Sequence, residues 1–397
     1  MTKSIYPLTE SVLEKIDLNA AIKVIKSKKI TMGKKTEQIE KYFKKNVVKT
    51  DSLMVNSGSS ANLLIFQCLI NPLVKKLKVG DEVLIPAICW STSLWPIIQS
   101  GLKVKFVDID INSLNIDLKD LEKKITKKTK ALMLVHALGN CVEMDKLTRI
   151  CKKNKLILIE DACEALGSRF KNKQLGTFGE FSSFSFYYSH HITSGEGGMV
   201  CVKNKKYLDV IKSLRSHGWS RDLSNRSFIS KKYKNIDKNW IFINSGFNLR
   251  PTDINAAIGI QQLKRLKKIL KIRKYNFLKI KKKLINNKNY NKQFSILSDQ
   301  KYSNIAWFGI PFMLNSKNKT YKHKVMNKLN QKGVMTRPII SGNFANQPSI
   351  QLYKIKSNTK LPNADLVDKK AFFLGLHNIK ITDNKLKLLV DHIYSSL

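Results

Sequence analysis

Closely spaced cysteines are missing from this sequence. The six present, Cys68, Cys89, Cys141, Cys151, Cys163 and Cys201, stand at least ten residues apart. That leaves no CxxC pair and no zinc or iron–sulfur spacing, so no metal site is expected and the thiols read as buried and reduced. Long apolar runs are missing as well. Stretches such as Ala131 to Leu138 fall far short of the roughly 20 residues a membrane-spanning helix needs. The first ten residues, MTKSIYPLTE, contain no apolar segment of the kind that opens an exported chain. Together these absences predict a soluble, cytoplasmic protein without membrane association. Acidic residues are scarce: 29 Asp and Glu face 72 Lys and Arg, a net charge of +43. Such a surplus suits a nucleic-acid binder. Here, however, it is mostly lysine dispersed along the chain among isoleucine and asparagine, which reads as compositional drift, so no nucleic-acid partner is expected.

What is present is the material of a large α/β protein. The 397 residues, 43% hydrophobic, suffice for two domains. Residues 9–27 and 34–45 have helical periodicity. From Asp51 onward, apolar runs at Leu53–Val55, Glu82–Pro86, Lys103–Asp108, Ala131–His136 and Leu156–Glu160 alternate with helical spans at Leu63–Ile70, Leu118–Ile125 and Met144–Asn154. Continuous rather than alternating apolar strands predict a mostly parallel sheet covered on both faces, with ligands at the carboxyl ends of its strands. The Lys-rich stretch 261–288 reads as one long helix with a solvated charged face, linking a first domain, 1–262, to a smaller α+β domain, 263–397. In that second domain, strands are expected at Ala306–Leu314 and Val334–Ile340, and helices over 319–332 and 382–396.

Four segments carry chemistry-bearing residues. NSGSSAN (56–62) joins a strand to a helix. Its small residues Gly58 and Ser59 let the backbone approach an anion at a helix N-terminus, although such turns also serve as simple caps. In LILIEDACEALGS, Asp161 follows an apolar strand, where a carboxylate either pairs with a protonated ring nitrogen or caps a helix. FSSFSFYYSHHITSGEGGMV holds Ser185, a hydroxyl donor for phosphate, and the adjacent His190 and His191, which read either as a general base or as a structural pair. Trp90 in PAICWSTS reads as a stacking partner for a flat ring or as a core tryptophan.

In order and spacing, NSGSSAN, GDEVLIPAICWSTS, FVDIDINSLNID, IEDACEALGS, GTFGEFSSFSF, GEGGMV, LRSHGW and NLRPTDINAAIGIQQL resemble the signatures of the DegT/DnrJ/EryC1/StrS sugar aminotransferases, over nearly the whole chain. The resemblance implies a fold-type I transferase dependent on pyridoxal 5′-phosphate (PLP) or pyridoxamine 5′-phosphate (PMP). It further implies that Asp161 pairs with the pyridinium nitrogen, Trp90 stacks on the ring, and Glu164 lies near O3′. Gly58, Ser59 and Ser185 would hold the phosphate. His217 and Asn248 would reach across a homodimer, and Arg221 and Arg337 would contact anionic groups of glutamate or nucleotide. One departure stands out. Where the family's aminotransferases carry their Schiff-base lysine, six residues before the acidic residue of the GEGG turn, this chain has His190. Lys203, Lys205 and Lys206 come after the turn.

That substitution resembles the family's 3-dehydratase branch. It implies removal of the C3 hydroxyl from a nucleotide-linked 4-keto-6-deoxyhexose in deoxysugar and O-antigen biosynthesis, with glutamate regenerating PMP. HGWSRDL, WFGIPF and RPIISGNF are similar to branch members acting on GDP-4-keto-6-deoxymannose. A histidine-bearing branch that adds an iron–sulfur cluster needs close cysteines that are absent here. The alternatives are an ordinary nucleotide-sugar aminotransferase, which needs the missing lysine, and a catalytically silent nucleotide-sugar binder.

Overall fold

The computed structural model describes residues 4–10, 13–290, 292–315, 321–355 and 360–397. Parts of two expected helices, residues 11, 12, 319 and 320, lie outside these. The apolar runs form the strands they suggest: β1 (Asp51–Val55), β2 (Glu82–Pro86), β3 (Lys103–Val107), β4 (Thr129–Val135) and β5 (Ile157–Asp161). A short hairpin, β6 (Arg169–Phe170) and β7 (Lys173–Gln174), precedes β8 (Phe181–Ser185) and β9 (Gly198–Val202). Seven of them make one sheet in the order β1-β9-β8-β5-β4-β2-β3. β9 alone runs antiparallel to its neighbours. Every residue of β8 and β9 is buried, as are four of five in β1, β2 and β5, so the sheet is covered on both faces.

Six strands therefore end at one edge, where β9 begins. Register aligns Val55 and Ser185 with Gly198, and Val135 and Ser183 with Asp161. Helices leave this edge from β1 (Gly58–Ile70) and from β2 (Ser91–Gln99), pointing their N-termini at the same place.

The Lys-rich link differs from the expected single helix. Helix Asp253–Lys264 ends at Arg265, whose backbone leaves helical geometry (φ −96°, ψ 2°), and helix Leu266–Ile285 begins after it. Arg265 is held there by Asp17, with Nη1 3.0 Å and Nη2 2.6 Å from its carboxylate. Nor is the charged face wholly solvated: Lys267, Lys268, Lys271 and Lys274 are exposed, but Arg273 is buried.

A second sheet follows, with β10 (Phe294–Ile296), β12 (Gly309–Leu314), β14 (Ala371–Gly375) and β13 (Thr336–Pro338) in that order; β11 (Ser303–Asn304) joins the β6–β7 hairpin instead. The strands expected at 306–314 and 334–340 are thus shorter, and residues 306–308 lead into β12 as irregular chain. The N-terminal segment also belongs beside this sheet, since Tyr6 bridges Val334 and its hydroxyl donates to the Gly375 carbonyl. One continuous apolar core joins the two sheets.

Candidate active site

Asp161 ends β5 and is buried. Its Oδ2 accepts from Asn62 Nδ2 at 2.9 Å and Ser93 Oγ at 2.8 Å, and its Oδ1 from the Cys163 amide at 3.1 Å. Among the described residues, no Lys, Arg or His forms an ion pair with it. A buried carboxylate without a cation, held by neutral donors in a chain of net charge +43, is suited to a cationic N–H brought by a ligand.

The small-residue turn lies beside it. Ser57 caps helix Gly58–Ile70, its Oγ accepting from the Ser60 amide at 3.1 Å. The first amides of that helix, those of Gly58 and Ser59, have no intrahelical acceptor. Gly58 cannot be larger: a Cβ there would lie 2.8 Å from Ser185 Cβ and 2.9 Å from Cys163 Sγ. The Ser59 and Thr92 hydroxyls, 2.8 Å apart, tie this helix to the start of helix Ser91–Gln99. Two positive helix ends and the Ser185 hydroxyl therefore surround one cradle fit for a phosphate. Trp90, just before the second helix, is 52% exposed, so it is no core tryptophan.

His190 closes the site. Its Nδ1–H donates to the Cys163 carbonyl at 2.8 Å. A carbonyl can only accept, so the proton is on Nδ1 and Nε2 keeps its lone pair. Burial pushes the imidazole down to about 4, against the pull of the Cys163 carbonyl and Asp161, so it stays neutral and basic at Nε2. His191 differs: it is fully buried, its Nε2 donates to the Ala306 carbonyl at 2.7 Å, and burial holds it well below the usual histidine range. The structural reading fits His191, whose ring is wholly enclosed. Glu164 accepts from the Leu138 amide at 2.7 Å, and burial raises its carboxyl to about 8. Lys203 follows the far end of β9 and bonds the Phe178 carbonyl at 2.7 Å.

The remaining expected site residues lie apart within one chain. His217, in left-handed backbone (φ 59°), donates its amide to Phe247, and Asn248 bridges Ser216. This strip flanks the NSGSSAN turn, since the Asn56 amide donates to the Leu249 carbonyl. Arg221 stacks on Trp219 at 4.4 Å, and Arg337 is exposed on β13. Of the cysteines, only Cys163 is not fully buried. Sequence reading passed over Asn62, Ser93, Thr92 and Phe308. The first three sat inside motifs already singled out, NSGSSAN and PAICWSTS, while Phe308, in WFGIPF, had no local signal.

A mostly parallel sheet with one reversed strand, an anion cradle at a helix start and a buried carboxylate at the next strand end define a PLP-dependent enzyme of the aminotransferase fold. The chain belongs to the DegT/DnrJ/EryC1/StrS aminotransferase family, whose model matches residues 12–393. It is 35% identical over 381 residues to GDP-4-keto-6-deoxy-D-mannose 3-dehydratase of Escherichia coli O55:H7, covering 95% of this chain and 97% of that one. It is 36% identical to the enzyme of that name from Yersinia pseudotuberculosis, covering 95% of each chain. Among solved structures, the E. coli dehydratase with bound hydrated PLP superposes with a TM-score of 0.90 at 34% identity, covering 98% of this chain and 99% of that one. A structure of a GDP-4-keto-6-deoxymannose 3-dehydratase, with a TM-score of 0.90 at 34% identity and covering 98% of this chain and all of that one, holds a trapped PLP–glutamate geminal diamine.

Proposed function

We propose that this protein is a PLP/PMP-dependent 3-dehydratase that removes the C3 hydroxyl of a nucleotide-linked 4-keto-6-deoxyhexose, with GDP-4-keto-6-deoxymannose as substrate and glutamate as amino donor. The observation that carries the reading is a neutral imidazole, His190, held beside Asp161 where the family's aminotransferases place a lysine. The relatives named for this reaction, and the cofactor and glutamate adduct they hold, support it.

When bound, PMP supplies an amine for the sugar's C4 ketone and a ring that accepts electron density. Asp161 keeps the ring nitrogen protonated. Gly58, Ser59 and Ser185 hold the phosphate, Trp90 covers a ring face, and Glu164 stands near O3′. His190 cannot bond covalently as lysine does. Its Nε2 takes the proton from the cofactor's C4′ and returns a proton to the departing C3 hydroxyl, a role that typically contributes about 10²–10⁴-fold. His217 and Asn248 complete the site from the second subunit of a homodimer, and Arg221 and Arg337 meet the anionic groups of glutamate and nucleotide. The cofactor-binding unit is residues 1–262 and the smaller unit 263–397. The enzyme acts in the cytoplasm, where its nucleotide-sugar substrate is made, and its basic surface draws in the diphosphate.

The test is incubation with PLP and glutamate, followed by GDP-, CDP- and dTDP-4-keto-6-deoxyhexoses and mass analysis of products. PMP and 2-oxoglutarate should form, then a sugar one oxygen poorer from the GDP substrate. His190→Lys should yield a lysine-bound cofactor that borohydride fixes through denaturation. Absence of both half-reactions in the parent enzyme would end the reading.

A further inference from the structure

A cation of the second unit is buried behind the histidine. Arg273, on helix Leu266–Ile285, is 3% exposed. Its guanidinium donates to the Trp307 carbonyl at 2.9 Å, the Phe308 carbonyl at 2.8 Å, Asn378 Oδ1 at 3.0 Å and the Leu376 carbonyl. No carboxylate pairs with it among the described residues. A buried charge neutralised only by dipoles is expensive, and for stability alone an apolar side chain would serve as well or better.

What it fastens is the segment 306–308, which leads into β12. The Phe308 ring packs against His190, centroids 5.0 Å apart, and against His191 at 6.0 Å. The Phe308 amide donates to the Leu138 carbonyl at 2.9 Å, and the Leu138 amide is the donor to Glu164. Leu138 has left-handed backbone (φ 50°), a strained state for leucine that persists only where its surroundings impose it. Ala306 accepts from His191, and Asn378 Nδ2 donates to the His191 carbonyl at 3.2 Å. Behind His190, therefore, one guanidinium holds the Phe308 wall and Asn378, one restraint on His191, while Ala306, the other, adjoins the fastened Trp307 and donates its own amide to Ser168 Oγ at 2.9 Å.

We propose that Arg273 is a positioning residue for proton transfer: by pinning the Trp307–Phe308 segment, it sets the Phe308 ring against the His190 imidazole, shields that side of the ring from water and keeps it aimed. The proposal rests on His190 being the proton-transfer group. The charged and titratable groups around His190 are Asp161 at the end of β5 with Cys163 and Glu164 just after it, Tyr187 and His191 on its own segment, and Arg273 from behind. Removing Arg273 takes away a nearby positive charge, and loosening Phe308 admits water. Both changes raise the proton affinity of His190.

The experiment compares the full-length holoenzyme with Arg273→Met, Arg273→Lys and Phe308→Leu. It reads the glutamate half-reaction by cofactor absorbance and the His190 titration by NMR of the imidazole carbons. Phe308→Leu leaves the guanidinium's carbonyl acceptors in place, so it remains informative if Arg273→Met fails to fold. We expect cofactor affinity to be retained, the half-reaction to slow about tenfold or more, and the His190 midpoint to move upward. Arg273→Lys should recover only part of this, because an ammonium cannot span the same fork of carbonyls. A Phe308→Leu enzyme with the parent rate and the parent His190 titration would overturn the proposal. If the parent converts no cofactor, the functional reading fails instead, and the NMR comparison still decides the positioning role.

Discussion

The burial of His190 makes a prediction about stability that can be worked through to a number. Its folded-state value is about 4, against 6.5 for a free imidazole. Because the folded value is the lower one, the unfolded chain takes up the proton first as pH falls. The stabilisation is therefore present above 6.5 and lost as pH drops from there towards 4. One pKa unit corresponds to about 1.4 kcal/mol, so lowering the pH from about 7 to about 5 costs about 2 kcal/mol through this group alone. His191 acts in the same direction, so the parent protein alone does not isolate the effect. His190→Asn does: an asparagine amide can keep the donor to the Cys163 carbonyl while removing the titrating ring. Urea denaturation of the cofactor-free protein at about pH 7 and about pH 5 should give a fall smaller by about 2 kcal/mol in the variant. Equal falls in the two proteins would mean that the imidazole is not held neutral by burial, and the argument for a free Nε2 would go with it.

Two further outcomes follow from the same geometry. Gly58→Ala puts a Cβ against Ser185 and Cys163 at 2.8 and 2.9 Å. It should cost about 1–3 kcal/mol in a denaturant melt and weaken PLP binding in an absorbance titration; unchanged PLP affinity would dissociate Gly58 from the phosphate site. Glu164 titrates with the opposite sign to His190. Its folded value, about 8, exceeds the unfolded 4.5, so its contribution is complete below 4.5 and disappears as pH rises through 8. Glu164→Gln should flatten the decline in stability between pH 4.5 and about 8, and a variant that still loses stability over that window as the parent does would show that burial does not keep this carboxyl protonated.

Sequence alone determined the class of fold and the chemistry. The continuous apolar runs at 53–55, 83–86 and 131–135 dictate a sheet buried on both faces, because a strand stretch without polar positions cannot face water. Gly58 and Asp161 were legible for a related reason: a turn of small residues and a carboxylate ending an apolar strand each signal their surroundings locally. The exchange of lysine for His190 was legible as well, since the loss of a primary amine removes covalent chemistry whatever the fold. Spacing to the GEGG turn pointed to His190, but what each ring of the pair His190–His191 binds was not legible. It depends on the Cys163 and Ala306 carbonyls, 27 and 115 residues away, and contacts at such separations exist only after the two sheets pack. The break at Arg265 and the burial of Arg273 were hidden for the same reason. A lysine-rich helix looks solvated along its whole length until a distant strand end, here Phe308 and Leu376, brings bare carbonyls that a guanidinium alone can satisfy.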